Sequence, residues 1–159
     1  MFHIGQAGGP SAIDAARELF REYEADIGVS LCFQGFEREL RELPGSYAPP
    51  AGRLFLAHQD GECAGCVALR PLDEGVCEMK RLFVRPAYRG RGLGRLLVER
   101  LLDEACAIGY ARMRLDTLER MRAARTLYSS LGFSPIAPYN EHGIDGTIWM
   151  ERSLSPSAD

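Results

Sequence analysis

The densest chemistry in the chain lies in Arg85-Pro-Ala-Tyr-Arg-Gly-Arg-Gly-Leu-Gly94. Arg89, Arg91 and the following Arg95 supply positive charge, and Gly90, Gly92 and Gly94 remove side chains that would keep a ligand off the backbone. Glu78 to Val84 precedes this stretch and reads as a strand. Leu93 to Ile108 follows as an amphipathic helix, with Leu93, Leu96, Leu97, Leu101, Ala105 and Ile108 on one stripe. Strand, glycine-rich basic loop and helix together make an anion site. The first amides of a helix lack intrahelical acceptors, and the dipole makes that end positive. The implied chemistry is phosphate binding. The dinucleotide fingerprint Gly-x-Gly-x-x-Gly is not met, because the last gap is one residue short, and the Gly-Lys-Ser/Thr ending of a P-loop is absent.

Charge is unevenly spread. Glu78 to Thr126 carries 12 Lys/Arg against 6 Asp/Glu, inside a chain of net charge −3. A basic segment in an acidic chain points to one anionic ligand held locally, and at pI near 5.7 it argues against a nucleic-acid surface. With 159 residues, 46% apolar and 26% charged, the chain fits a single globular domain over 1–154, with 155–159 expected as a disordered tail. The N-terminus lacks the basic-then-apolar pattern of a signal peptide, and no apolar run reaches membrane-spanning length. The expected location is cytoplasmic, with no membrane partner.

Five cysteines, an odd number outside a secretory context, read as reduced thiols. Cys63-x-x-Cys66 lacks a second ligand pair at zinc spacing, and in a regular strand the two side chains would point to opposite faces. No metal is expected.

These residues need positioning elements. A short edge strand over Phe2 to Ala7 comes first. A helix follows from Ser11, where Ser11 and Asp14 have capping-box spacing, with Ile13, Ala16, Leu19, Phe20 and Tyr23 on one face. A second helix is predicted over Phe33 to Leu43. Arg53–Gln59, Glu62–Leu72 and Val76–Val84 read as an antiparallel meander. Past the long helix come a strand over Ala111–Thr117 and a helix over Met121–Leu131. Phe133–Tyr139 is strand-like, with Pro135 and Pro138 confining it to an edge, and Thr147–Leu154 is the last strand. The helical crossover makes 76–84 and 111–117 parallel. The predicted fold is α/β in the α+β sense: a mixed, mainly antiparallel sheet with one parallel pair and about four flanking helices.

Three features in order resemble the GCN5-related N-acetyltransferase (GNAT) superfamily: Arg81-Leu-Phe-Val84, the loop Arg89-x-x-Gly92-x-Gly94, and Ala124-x-x-Leu127-Tyr128-x-x-x-Gly132-Phe133. The resemblance covers nearly the whole element order and is weakest over Met1 to Gly52. It implies a splayed parallel pair that takes acetyl-CoA as co-substrate, with pantetheine on the backbone of Leu82, Phe83 and Val84. The pyrophosphate would lie on Arg89, Gly90, Arg91, Gly92, Leu93 and Gly94. It implies Tyr128 as the acid that protonates the departing thiolate and Glu78 as the base for the acceptor, acting through a water. Many relatives carry Asn where this chain has Met121, so that polar contact is not carried over.

The implied function is acetyl transfer to a primary amine of a small molecule or amino acid, by direct attack in a ternary complex. Alternatives are a peptide N-terminus or lysine as acceptor, or an acyl-CoA-binding module without turnover. By fold analogy, Phe33, Gln34, Phe36, Arg70 and Tyr139 to His142 are acceptor-pocket candidates. A homodimer is left open.

Overall fold

A computed structural model describes residues 1–31 and 35–154. Strand β1 (His3–Gln6) leads into helix α1 (Pro10–Ile27) and helix α2 (Phe36–Glu42). The meander follows as β2 (Arg53–Gln59), β3 (Glu62–Asp73) and β4 (Val76–Val84). Helix α3 (Leu93–Ile108), strand β5 (Arg112–Leu118), helix α4 (Arg122–Ser130), and strands β6 (Ser134–Ile136) and β7 (Thr147–Ser153) complete the order. This is the predicted succession of elements. Cys32, Phe33, Gln34 and 155–159 lie outside the described residues, and with them the predicted start of the second helix and the predicted tail.

The seven strands form one sheet in the order β1-β2-β3-β4-β5-β7-β6, and only β4 and β5 run parallel. Helix α3 packs on one face, where Leu93, Leu97, Val98, Leu101 and Ala105 meet Val67, Leu69, Met79 and Met113. Helices α1 and α2 cover the other, with Leu19, Phe20, Phe36 and Leu40 against Leu54, Leu56, Cys66 and Ala68.

Several element ends differ from expectation by a residue or more, and two of the differences have a clear cause. Helix α1 begins at Pro10, not Ser11. Gly9 at φ 85° turns the chain into it, and proline suits a first helical position because it has no N–H to satisfy. The Ser11–Asp14 capping box does not form; Asp14 instead accepts from Arg17 at 2.7 Å. Strand β6 keeps only three residues of the predicted seven, as its two prolines dictate.

Strand irregularity shapes the centre. Between Ala68↔Lys80 and Cys66↔Phe83, two β4 residues, Arg81 and Leu82, oppose Val67 alone. Arg81 takes φ 61° there, a bulge that bends β4 and re-aims its backbone. A second irregularity, between Ala57 and His58, leaves Ala64 as an extra residue on β3. The regular-strand expectation for the cysteine pair therefore fails: Cys63 and Cys66 both pack on the α1–α2 face, and both are free thiols.

At Gly65 β3 and β4 come together closely. A Cβ there would lie 2.5 Å from the Phe83 carbonyl oxygen and 3.3 Å from Val84 Cα, well inside normal contact. Both obstacles are backbone and cannot rotate away. Gly65→Ala should therefore destabilise the fold by about 1–3 kcal/mol, lowering Tm by roughly 2–12 °C. A melt indistinguishable from wild type would show that β3 and β4 can separate at this point.

Candidate functional site

Strands β4 and β5 share three rungs, Val76↔Arg112, Cys77↔Met113 and Glu78↔Arg114, and then part. Beyond Glu78 the β5-facing edge of β4 has no strand partner. A groove of about 620 Å³ opens along it, closed on the far side by Met121, Ala124 and Leu127 around α4 and by Tyr23, Asp26 and Ile27 of α1. Leu82, Phe83, Val84, Arg89, Gly90, Gly92, Leu93 and Gly94 all line it. Eight of the nine residues expected to hold a cofactor thus share one cavity. The ninth, Arg91, turns away: it donates to Gln59 at 2.6 Å and lies over the rings of Phe2 and Tyr88.

The loop presents backbone to the groove. Gly92 is the N-cap of α3 at φ 80°, and Gly90 sits at φ 78°, a conformation that side-chain-bearing residues rarely adopt. No side chain caps α3, so its first amides stay open to the groove. The arginines are engaged elsewhere. Arg89 donates to the Val84 carbonyl at 2.8 Å and reaches Asp26 at 3.3 Å; Arg95 donates to Ser130 at 2.6 Å. The expected charge is present, but much of it is held by partners within the chain.

At its inner end the groove meets a small cavity of about 60 Å³ lined by Lys80, Leu82, Asp116, Met121 and Tyr128, among others. The Tyr128 hydroxyl makes no hydrogen bond to another described residue. Burial, with the neighbouring Tyr23 and Asp116 charges adding to it, raises its pKa, so the phenol keeps its proton at neutral pH. Its ring meets Phe133 edge-on with centroids 6.0 Å apart. Met121 lies between the cavities, its sulfur 4.0 Å from the Thr117 hydroxyl. Lys80, nearly buried, has its pKa lowered by burial and by Arg81 and Arg70, against the pull of Asp116 and Glu78.

Glu78 sits on the last shared rung with no exposed surface. Its Oε1 accepts from Arg70 at 2.8 Å, and its Oε2 accepts from the Tyr139 hydroxyl at 2.7 Å. Burial alone would raise its pKa; Lys80, Arg70 and the Tyr139 hydrogen bond outweigh that and hold the carboxyl below its ordinary value. Arg70 and Tyr139, expected near the acceptor, are thus Glu78's partners. Phe36 is a buried core residue over which Arg81 stacks at 5.2 Å. His142 lines a further cavity of about 40 Å³. Asn140 accepts from the Trp149 indole at 3.3 Å.

Sequence reasoning missed Tyr23, Asp26 and Ile27 as groove residues, because their helical spacing reads as core or solvent face. It also missed Asp116, which no motif marks.

The acetyltransferase (GNAT) family model matches residues 13–133. An uncharacterized N-acetyltransferase of Schizosaccharomyces pombe is 38% identical, over 92% of this chain and 91% of its own length. A GNAT-family acetyltransferase of Staphylococcus aureus superposes with TM-score 0.83 at 19% identity, over 98% of this chain and 100% of that one. An acetyltransferase of Salmonella typhimurium, solved with its cofactor acetyl-CoA, superposes at 0.70 with 22% identity, over 100% of this chain and 97% of that one. The chain belongs to the GNAT family and is an N-acetyltransferase. Membership of that family supports acetyl-CoA as the co-substrate. Among the described residues no three His, Cys, Asp or Glu side chains cluster as a metal site, and no helix is long and apolar enough to cross a membrane.

The Glu78 network makes a signed pH prediction. A carboxyl with a depressed folded pKa contributes stability above its unfolded value and loses it as pH falls through the folded one. Wild type should exceed Glu78→Gln by about 1–3 kcal/mol at pH 7. The gap should hold down to the ordinary value of 4.5 and close below it. Urea denaturation of both proteins from pH 7 downward measures this; a gap that widens toward acid would mean the carboxyl is buried neutral.

Proposed function

We propose that this chain moves an acetyl group from acetyl-CoA to a primary amine of a small molecule, by direct attack with both substrates bound. The observation that carries the reading is the continuity of one groove. It runs from the open amides of α3, along the unpaired edge of β4, to the Tyr128 hydroxyl. Amides at a helix start suit pyrophosphate, and a free strand edge suits the two amides of pantetheine. Acetyl-CoA supplies the activated thioester. Leu82 and Val84 offer backbone groups to the pantetheine chain, and Gly90 to Gly94 offer backbone to the diphosphate. Small size of the acceptor is supported by the two inner cavities, which hold a few waters' worth of space rather than a peptide.

In the chemical step the neutral amine nitrogen bonds to the carbonyl carbon, the carbon–sulfur bond breaks, and the proton that nitrogen gives up passes through solvent water to restore the phenol that protonated the sulfur. Tyr128 is the proposed acid: protonated, inside the inner cavity and without another hydrogen-bond partner among the described residues, it can donate to the departing sulfur. Glu78 enters as a positioning carboxylate rather than the proton acceptor expected from sequence. Ionised, fully buried and bonded through both oxygens, it has low affinity for a proton and instead fixes Arg70 and Tyr139.

Tyr128→Phe keeps the ring and deletes the hydroxyl. Turnover should fall by roughly 10²- to 10⁴-fold while acetyl-CoA affinity and Tm hold. Single-turnover rates beside a thermal melt test this, and wild-type chemistry would reject the acid role. Gly92→Asp places a carboxylate at a φ of 80° in the diphosphate position. Acetyl-CoA affinity should drop by at least about 10-fold, the scale of losing one or more charge-assisted hydrogen bonds. Unchanged affinity by calorimetry in a folded variant would remove the loop from the site.

A further inference from the structure

We infer that the acceptor is a primary amine with an apolar body and no carboxylate, its ammonium received by Asp116; this rests on the acetyltransferase reading above. Asp116 lies on β5 two residues past the last rung shared with β4. It lines both inner cavities, the one containing Tyr128 and the one beyond it. Its half-buried carboxylate makes no direct hydrogen bond or ion pair with another described residue; its charge acts on nearby Lys80, whose pKa burial lowers. Its neighbour on the same strand face, Arg114, is already held by Glu151 at 2.8 Å. A half-buried carboxylate opening into a cavity suits an ammonium, which brings charge-assisted N–H donors. An amine held there shares a cavity with the Tyr128 hydroxyl, and once its ammonium has lost a proton to solvent water the nitrogen can attack a thioester held in the groove.

The outer cavity states what the rest of the acceptor is made of. Ile27, Val29, Leu31, Leu118, Met121 and Ile144 supply half of its lining, beside Thr117, His142 and Thr147. The nearby arginines are committed. Arg81 gives Nε and Nη2 to Glu39 at 3.0 and 2.7 Å, and Arg70 serves Glu78 and lines neither cavity. Lys80 faces the charges of both Asp116 and Glu78. An amino-acid acceptor bound through Asp116 would set its own carboxylate, carried on the same carbon as the ammonium, close to the Asp116 carboxylate, which is unfavourable.

The test uses the full chain, acetyl-CoA and a thiol-release assay. The panel holds alkyl- and arylalkylamines, the matched α-amino acids bearing the same body, a diamine and a short peptide. Wild type should favour the monoamines over their matched amino acids by about 10- to 100-fold in kcat/KM. Asp116→Asn should raise KM for the amines by a similar factor, with kcat changing less and acetyl-CoA affinity unchanged. Asp116→Glu should recover most of the loss. Preference for amino acids, the diamine or the peptide would overturn the inference and leave the acetyltransferase reading standing, as would an unchanged KM in Asp116→Asn. Should that variant not fold, the wild-type panel and Asp116→Glu decide. Failure to bind acetyl-CoA, or to release thiol with any acceptor, would overturn the acetyltransferase reading and this inference with it.

Discussion

Two neighbouring strands that stop pairing leave backbone groups to be satisfied, and this site is built on that constraint. After Glu78↔Arg114 the edges of β4 and β5 diverge, so N–H and C=O groups of β4 face a groove instead of a partner strand. A peptide-like ligand answers that deficit, while solvent fills it otherwise. Along the diverged stretch β4 bulges at Arg81 and Leu82, where one residue takes φ 61°. Such a conformation costs about 1–3 kcal/mol and persists only where the surroundings over-determine it. Here they do. The Arg81 guanidinium is clamped on Glu39 by two hydrogen bonds, Tyr47 donates to the same carboxylate at 3.1 Å, and the rings of Tyr23 and Phe36 lie against it.

The same arrangement ties the N-terminal helices to the catalytic half. Arg85, at the end of β4, holds Glu22 of α1 at 2.7 Å and the Cys63 carbonyl at 3.0 Å. Arg89 reaches Asp26 one turn further along α1. Helix α1 is thereby fixed as the outer wall of the groove, and α2 as the anchor of the bulge. The polar and apolar parts of the site divide accordingly: helix-start amides at one end, strand edge in the middle, and a phenol and a carboxylate at the closed end.

Much of this was legible in the sequence. The order of elements follows from periodicity and from glycine and proline punctuation, and the strand–loop–helix unit around Gly92 was readable because its glycines have a conformational reason. The basic bias of residues 78–126 was read as charge for a ligand. The structure gives a different account: Arg81, Arg85 and Arg89 face Glu39, Glu22 and Asp26, so the acidic remainder of the chain is their counterpart. Pairings across 42 to 63 positions of sequence leave no local pattern to read. The bulges at Ala64 and Arg81 were also invisible, since each depends on register between strands. That is why the cysteine pair differs from a regular-strand reading. Asp116 carries no signal in an alternating strand; its meaning comes from what fails to pair with it.

The central claim is that the free edge of β4 and the start of α3 together take the co-substrate. Amide hydrogen exchange, resolved by residue, tests it directly. On saturation with acetyl-CoA, protection should rise among the amides of Leu82 to Val84 and of Gly90 to Arg95, while β1, β2 and the shared rungs at Val76 to Glu78 stay as they were. Saturable binding that leaves both the β4 edge and the α3 start unprotected would contradict the account.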